Sequence, residues 1–547
     1  MIATPLTALL LFLVAWLLCA CFPRLFARAE QIGARLAARK HLSVLAIAAA
    51  AILLRVSLLW LFPVPVPEIH DEFSYLLEGD TFAHGRLANP PHPMWIYLDT
   101  FHTIQHPTYA SIYPPAQGAV LAVGELLGDP WIGVLLSVAL MCAAVLWALQ
   151  GWLPPRWALL GGVLIVLHLA VSSYWVNSYW GGAVAAIGGA FAIGALPRIV
   201  RFHRPRDAVI LGLGASILAN SRPFEGLIFC LPVLVALIVW LCRGPSPPWR
   251  ETFPRVVLPF CGVILLCGLF MGYYNWRLTG HPLVFAYVQN VRSHYAVPQL
   301  AWEKTLPPFH FLNPQFENTY NHWWPTHAWL HGRPDSVKHI ALTLASDLRY
   351  FIRFFAWPEL SILALAAPWV LRDRRTRFLV VQAVICFGGF LLVAWFWPHY
   401  AAALTATTFI LATQGMRHVR LWRLKGRPFG IGLSRAIVLS ALFLSPFHGF
   451  ALHIASSVDS RAKIVTQLEA LPGNQLVIVR YSPDNKPNVE WVHNAADIDH
   501  AKVVWAREIP GISMQPLLDY YRDRRVWLVE PDANPPKLSP YSSGLHH

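Results

Sequence analysis

The sequence predicts an all-α polytopic membrane protein with about twelve transmembrane helices and a small C-terminal α/β module outside the membrane. Three observations support this fold class. The chain is 56% hydrophobic and only 13% charged, whereas a soluble protein carries about 25% charged residues. Several apolar runs approach or exceed about 18 residues, the length of a spanning helix. Short clusters of Arg and Lys separate these runs, which is typical of cytoplasmic loops.

The N-terminal apolar run, 6–22, has no basic residues before it and no clear cleavage site, so we expect a retained first helix. The basic residues that follow it indicate a cytoplasmic amphipathic segment: Arg24, Arg28, Arg35, Arg39 and Lys40. Residues 1–41 thus form an extra N-terminal helix and this segment. The next span, 42–62, leads outward and ends at the prolines of 63–67, which cannot continue a helix.

The rest of the membrane domain, 42–450, alternates between the two sides. A helix at the interface is expected at 116–127, and spans at 131–152, 157–174, 182–196, 208–219, 226–242, 256–276, 355–371, 378–397, 401–416 and 430–450. The basic clusters after 22, 196, 242, 371 and 416 all fall on one side. The two long polar segments, 63–115 and 277–347, fall on the other. We therefore expect a multi-pass protein of the cytoplasmic (inner) membrane, with these outer loops facing the periplasm or exterior.

The tail, 451–547, has a different composition. Short apolar runs predict strands at 476–480 and 526–529, and amphipathic patterns predict helices at 461–471 and 514–522. This is a small periplasmic α/β module without a phosphate-binding loop or a nucleophile motif.

Composition also limits the partners. The net charge of +14 comes largely from the cytoplasmic clusters, so we expect a lipid bilayer and no nucleic acid as partner. All eight cysteines lie in or beside apolar runs, which predicts no disulfide framework. The outer histidines show no ligand spacing, so no metal ligands are assigned, and a divalent metal stays open as a cofactor.

The stretch 69–80 follows a span and carries the candidate catalytic residues, Asp71 and Glu72, and beside them His70, which is assigned to substrate binding. Carboxylates at the mouth of a membrane helix indicate a functional site by default. Such a carboxylate can act as general base on a hydroxyl. The alternative is an ordinary solvated loop.

Other candidates lie at breaks between spans and are assigned to substrate binding. Arg222 and Glu225 lie at the break between two short helices. The planar fork of Arg222 suits a phosphate; pairing of Arg222 with Glu225 is the alternative. His399 and Tyr400 stand at an outer turn, where an aromatic belt would also explain them. The remaining candidates are Tyr113, Asn275 and His281, which loop and turn shaping would also explain.

Acids and cations beside lipid suit the transfer of a group from a lipid phosphate, because a leaving phosphate needs charge stabilisation more than a proton. Four sequence stretches carry a family resemblance: HDEFSYLLEGDTFAHGRLANPPH from His70, SRPFEG from Ser221, YNWRLTGHPL from Tyr274 and PHYAAAL from Pro398. Over 42–450 the chain resembles the GT-C superfamily of polytopic glycosyltransferases, in particular the branch of protein O-mannosyltransferases and lipid A aminoarabinose transferases.

The resemblance implies a hexosyl- or pentosyltransferase that uses a polyprenyl-phosphate-linked sugar donor, reached from the membrane. The acceptor would be a lipid, glycan or protein on the outer face, and direct attack by its hydroxyl would invert the anomeric centre. The family's catalytic Asp corresponds to Asp71, although the adjacent Glu72 leaves the choice of base open. The extra N-terminal helix and the tail depart from the family pattern.

Two other function classes fit parts of the sequence. A broken helix with an arginine at the break is also found in secondary transporters, although no inverted repeat is visible here. A non-catalytic assembly or binding protein, with the tail as its binding module, is the other alternative.

Overall fold

A computed structural model describes residues 5–243, 247–356, 360–445, 457–482, 485 and 490–541. Over these residues the chain is mostly helical, with a two-stranded ribbon in the first outer segment and a four-stranded sheet in the C-terminal module. The coarse fold class is thereby confirmed: apolar membrane helices with a small C-terminal α/β unit.

Three helices open the described chain: α1 (Pro5–Cys21), α2 (Pro23–Ala38) and α3 (Lys40–Ser57). The axes of α1 and α2 meet at 92°, so α2 does not continue in the direction of α1. Glu30 on α2 forms ion pairs with Arg420 and Arg435, both at 2.9 Å. The N-terminal extension is therefore fixed to the last part of the membrane domain.

The first outer segment holds α4 (His70–Ala83), α5 (Trp95–Leu98), the antiparallel strands β1 (Thr103–Ile104) and β2 (Ala110–Ser111), and α6 (Ala116–Leu126). Helix α4 packs closely on α6 because Gly79 faces the neighbouring helix. A Cβ at Gly79 would lie 2.8 Å from the Cβ of Leu121.

The centre of the bundle comprises α7 (Pro130–Trp152), α8 (Pro155–Leu169), α9 (Ala183–Phe202), α10 (Pro205–Ala219), α11 (Pro223–Arg243), α12 (Trp249–Thr252) and α13 (Leu258–Thr279). Helix α9 is rich in Gly and Ala and packs against α7 and α10. A Cβ at Gly214 would lie 2.7 Å from the carbonyl oxygen of Gly188. Small residues allow this close helix crossing, and most of the residues of α9 are buried.

The second outer segment and the last membrane helices follow: α14 (Ala286–His294), α15 (Pro314–Asn318), α16 (Trp324–His327), α17 (Val337–Phe355), α18 (Ala367–Arg372), α19 (Arg377–Phe390), α20 (Thr405–Arg420) and α21 (Phe429–Leu444). The helix expected over 378–397 ends at Phe390. Its continuation pairs with the second outer segment instead, since Ala394 N–H donates to Gln299 O and Ala301 N–H to Leu392 O, both at 2.9 Å.

The C-terminal module contains α22 (Ser457–Ala470), β3 (Gln475–Val479), β4 (Val503–Arg507), α23 (Gln515–Tyr520), β5 (Arg525–Glu530) and β6 (Lys537–Pro540). The strand order is β4-β3-β5-β6, with the first three parallel and β6 antiparallel. Both expected strands and both expected helices are present, and two further strands complete the sheet. Ala496 N–H donates to Asp80 Oδ2 at 2.7 Å, so the module contacts α4 directly.

Five helices of the described residues are long and apolar enough to cross a membrane, or up to seven if each bent helix pair counts as one span. Four shorter apolar helices accompany them. The count of about twelve spans is therefore not confirmed. Part of the shortfall has a local cause: the expected span at 355–371 contains the short helical stretch Leu360–Arg372, bent by 119° from the preceding helix Val337–Phe355, and the end of the one at 430–450 lies outside the described residues.

Candidate active site

Helix α4 begins at His70, next to the candidate base Asp71, and hydrogen bonds to Glu72 stabilise its first turn. One carboxylate oxygen of Glu72 accepts the N–H groups of Glu68 (2.7 Å) and Ile69 (3.3 Å), which resembles half of a capping box. The other oxygen accepts the N–H of Tyr179 at 3.0 Å. Burial raises the pKa of Glu72 to about 7, although these N–H groups oppose the rise. Both oxygens are therefore engaged by backbone, which favours a role in positioning the helix.

Asp71 lies at the centre of a polar cluster. Tyr113 donates its hydroxyl to Asp71, and the same hydroxyl lies 2.8 Å from Nδ1 of His102. The imidazole nitrogens of His102 and His70 lie 3.4 and 3.6 Å from the carboxylate oxygens. Burial alone would raise the pKa of Asp71, but His102, His70 and the Tyr113 hydroxyl hold it below its usual range. Asp71 is therefore an ionised proton acceptor at neutral pH.

His70 is the neutral neighbour in this cluster. Burial and the adjacent His102 lower the pKa of His70 to about 4. Its ring meets that of His102 edge-on at 4.3 Å, and its Nδ1 is buried without a hydrogen-bond partner among the described residues.

His102 was not among the residues selected from the sequence. Its φ of 59° lies in the left-handed region, which costs a non-glycine residue of order 1–3 kcal/mol. Its carbonyl oxygen accepts the Ser74 hydroxyl at 2.6 Å, and its Nε2 lies 3.3 Å from the Tyr295 hydroxyl. No spacing relates His102 to Asp71, so only the folded chain brings them together.

Arg222 lies in the break between α10 and α11, as expected. Its guanidinium carbon is 4.6 Å from the ring centre of Tyr400, and it also lies close to Tyr75, whose ring stacks on that of Tyr113 at 4.2 Å. In the part of the chain that the structure describes, Arg222 forms no ion pair within 4.0 Å. Glu225 lies close enough for its charge to interact with that of Arg222.

Three other candidates lie next to this region. His399 is buried, with Nδ1 2.8 Å from the hydroxyl of Tyr174, which also accepts the His399 N–H at 3.1 Å. Tyr400 carries the ring over which Arg222 lies. Glu225 is buried in the first turn of α11, where the helix dipole favours a carboxylate. The structure thus brings His399, Tyr400 and Arg222 together.

Asn275 and His281 form a turn at the end of α13. The Asn275 amide donates to Pro282 O at 3.3 Å, and His281 Nδ1 accepts the Leu283 N–H at 3.3 Å. Gly280 has φ of 78° and closes the helix. His281 is exposed, whereas Asn275 borders a small cavity that Tyr113 also lines.

Glu78 joins α4 to two neighbouring helices. Its carboxyl oxygens accept the Tyr274 hydroxyl at 2.9 Å and the Gly118 N–H at 3.2 Å. Burial raises the pKa of Glu78 well above its usual range. A carboxyl group of this kind stabilises the fold fully below its unfolded pKa, and that contribution is lost as pH rises through the folded pKa.

We therefore expect Glu78→Gln to flatten the pH dependence of stability. Between pH 5 and 7 the wild type should lose up to about 1.4 kcal/mol per pH unit relative to the variant. The measurement is Tm in detergent across this range, with Glu469→Gln, at an exposed position of α22, as control. Parallel Tm curves for wild type and Glu78→Gln would contradict a raised pKa at Glu78.

Among the described residues, two groups of side chains have donor atoms within 4.8 Å of one another and could hold a metal ion. They are His70, Asp71 and His102, and Asp80, His84 and Glu125. Asp80 and His84 are four residues apart, so that pair has a helical spacing that the sequence analysis did not select.

Comparison with known proteins gives distant structural likenesses. No family model matches the chain, and no curated protein matches its sequence. An oligosaccharyltransferase from Archaeoglobus fulgidus, solved with Zn and sulfate, matches with TM-score 0.48 and 12% identity over 89% of this chain and 67% of that chain. ArnT from Cupriavidus metallidurans in the apo state matches with TM-score 0.42 and 14% identity over 89% and 92%.

The chain thus spans about two thirds of the length of the oligosaccharyltransferase, whose apo form matches over 62% of its length with TM-score 0.43. Because every TM-score lies below 0.5, the function proposed below rests on the residues of the site.

Proposed function

We propose that the chain is a membrane glycosyltransferase that moves a sugar from a polyprenyl-phosphate donor to an acceptor hydroxyl on the outer face of the membrane. One observation carries the proposal: Asp71 accepts the hydroxyl of Tyr113, the ring of Tyr113 stacks on that of Tyr75 at 4.2 Å, and the Arg222 guanidinium lies close to Tyr75 and over the ring of Tyr400. A base and an anion-binding group at one place are what group transfer from a lipid phosphate requires.

Asp71 takes the proton of the acceptor hydroxyl while that oxygen attacks the anomeric carbon. The bond from this carbon to the phosphate oxygen breaks, and the phosphate leaves with the electron pair. Arg222 neutralises the charge that develops on the phosphate. Asp71 can serve with a low pKa because the transition state at the anomeric carbon is cation-like, which makes the attacking hydroxyl more acidic. A single displacement inverts the anomeric centre.

The other candidates take supporting roles. Tyr113 orients Asp71, and Tyr400 orients the guanidinium of Arg222. His70 lines the cluster on the other side of the carboxylate. Glu72 positions the start of α4 by its three backbone hydrogen bonds.

The remaining candidates lie around Arg222, where the phosphate of the donor would bind, or near Tyr113. Glu225 and His399 are buried next to Arg222 and Tyr400 and keep these two residues in place. Asn275 closes the cavity beside Tyr113, and His281 shapes the turn that follows it.

A divalent metal also fits the site. The buried Nδ1 of His70 has no partner among the described residues, and imidazole and carboxylate donors suit zinc and manganese. His70, Asp71 and His102 would hold the ion, which supplies positive charge for a phosphate. Elemental analysis of purified protein tests this assignment: bound metal that falls in His70→Gln supports it, and metal content unchanged by His70→Gln and His102→Gln contradicts it.

The test of the function is a transfer assay with purified protein, labelled polyprenyl-phosphate sugars and a membrane extract. We expect label in an acceptor and release of polyprenyl phosphate with at least one donor. Uptake of unchanged donor or sugar into vesicles, without transfer, would support the transporter alternative. Binding of an extract component through the C-terminal module, with neither transfer nor uptake, would support the assembly alternative.

A further inference from the structure

Arg55 is a buried charged residue in the last turn of an apolar helix, α3. It lies on α3 with 0% of its surface exposed. Its Nη1 donates to Phe62 O at 2.7 Å, and its Nη2 donates to Pro63 O at 3.1 Å and to Asn177 Oδ1 at 2.8 Å. Its guanidinium carbon is 4.8 Å from the ring centre of Trp131. None of the carboxylates that the structure describes forms an ion pair with it.

A charged side chain in a membrane helix is costly, and such residues mark functional positions by default. The partners of Arg55 are neutral carbonyl and amide oxygens and the Trp131 ring, so no charged side chain among the described residues pairs with it. The role of Arg55 follows from the two chain segments that its hydrogen bonds connect.

The first of these segments leads to Asp71. Residues 62–68 contain three alternating prolines, Pro63, Pro65 and Pro67, which lack N–H groups and cannot anchor the chain by donating hydrogen bonds. The segment is anchored by its carbonyl oxygens instead. Arg55 binds those of Phe62 and Pro63, and the Tyr179 hydroxyl binds that of Pro65 at 2.9 Å.

The second segment, 173–179, supplies the other side of this anchor. The Asn177 amide donates to Ser173 O at 2.8 Å, and its oxygen accepts from Arg55. Two residues later, the Tyr179 N–H donates to Glu72 at 3.0 Å. Three contacts therefore join residues 62–72 to the second segment. The Arg55 side chain binds both, the Tyr179 hydroxyl binds Pro65, and the Tyr179 N–H binds Glu72, which directly follows Asp71.

We propose that Arg55 is a positioning residue that fixes the approach of residues 62–71, and thereby the place of Asp71, from within the membrane. The proposal rests on the proposed function only where it concerns the reaction rate. The anchor itself is a statement about the position of residue 71, which can be measured without any transfer.

The test uses Arg55→Gln, with Arg55→Lys as the conservative variant. Arg198→Gln is the matched control, since Arg198 on α9 also lies over a tryptophan (3.9 Å to Trp147) and donates to two carbonyl oxygens, but contacts neither segment. We expect Arg55→Gln to lower kcat by about 100-fold with little change in KM for the donor, because displacement of a catalytic group by about 1 Å has this effect. Arg55→Lys should recover part of the loss.

A second readout does not depend on activity. In an Asp71→Cys background, the rate of reaction with a membrane-impermeant maleimide reports the position of residue 71. We expect Arg55→Gln to change that rate by about tenfold or more, a shift of about 1.4 kcal/mol in the free energy of access, and Arg198→Gln to leave it unchanged.

The two readouts separate the two claims. A changed maleimide rate without any transfer by the wild type would uphold the anchor and overturn the proposed function. Wild-type kcat and maleimide rate in folded Arg55→Gln would overturn the anchor, as would equal effects of Arg198→Gln. If Arg55→Gln does not fold, Asn177→Ala is the second variant, because it removes the hydrogen bond between Arg55 and Asn177. An unchanged maleimide rate in that variant would equally overturn the proposal.

Discussion

Asp71→Asn is expected to lower the rate of sugar transfer by about 10²- to 10⁴-fold, the usual contribution of a general base. The amide oxygen of Asn can still accept the Tyr113 hydroxyl, so the cluster should keep its shape, but the amide cannot take a proton from the acceptor. Donor binding should remain, since Arg222 and the tyrosines around it are unchanged. The measurement is kcat for labelled sugar transfer together with the donor dissociation constant.

The matched control is Asp335→Asn, which removes an exposed carboxylate from the second outer segment. It should transfer at the wild-type rate. Glu72→Gln decides between the two adjacent acids: we expect a lower Tm, because Glu72 accepts three backbone N–H groups, with most of kcat retained. Transfer lost in Glu72→Gln but kept in Asp71→Asn would show that Glu72 is the base.

Arg222→Gln is expected to lower kcat/KM for the donor by about 10²- to 10³-fold, as removal of one charge-stabilising group does in other transfer sites. The kcat/KM of Arg222→Lys should lie between those of the wild type and Arg222→Gln, because an ammonium keeps the charge but loses the planar fork that binds two phosphate oxygens. The assay is transfer at varied donor concentration, with binding of the sugar-free polyprenyl phosphate as a second measurement.

Arg277→Gln is the control, because Arg277 is an exposed arginine at the outer end of α13. It should leave both measurements unchanged. Equal affinity of wild type and Arg222→Gln for polyprenyl phosphate would contradict a phosphate role for Arg222.

The parts of the site that local sequence determines were predictable. Pro223 disfavours helical backbone at Arg222, and helix α10 does end at Ala219 before α11 begins at Pro223. The acids at 71 and 72 are candidates because a carboxylate at the end of an apolar run is costly without a role, and Asp71 is preferred as base because it corresponds to the Asp of the resembled family.

The parts that long-range contacts determine were not predictable. His102, Tyr295 and Arg55 reach the site or its anchor only through the fold, and nothing in their spacing distinguishes them. The span expected at 378–397 is longer than the observed helix because hydropathy does not show that Leu392 and Ala394 form hydrogen bonds with the second outer segment. In the module, β6 was missed because its residues are mostly half-exposed and it pairs only along one edge.

The most direct test of the account is the anomeric configuration of the transferred sugar, determined by NMR of the product made by purified protein from a polyprenyl-phosphate sugar of known configuration. We predict inversion, because an acceptor hydroxyl activated by Asp71 displaces the phosphate in one step. Retention of configuration would require a covalent sugar–enzyme intermediate and would contradict the role of Asp71 as base in a single displacement, as would a product formed equally well by Asp71→Asn.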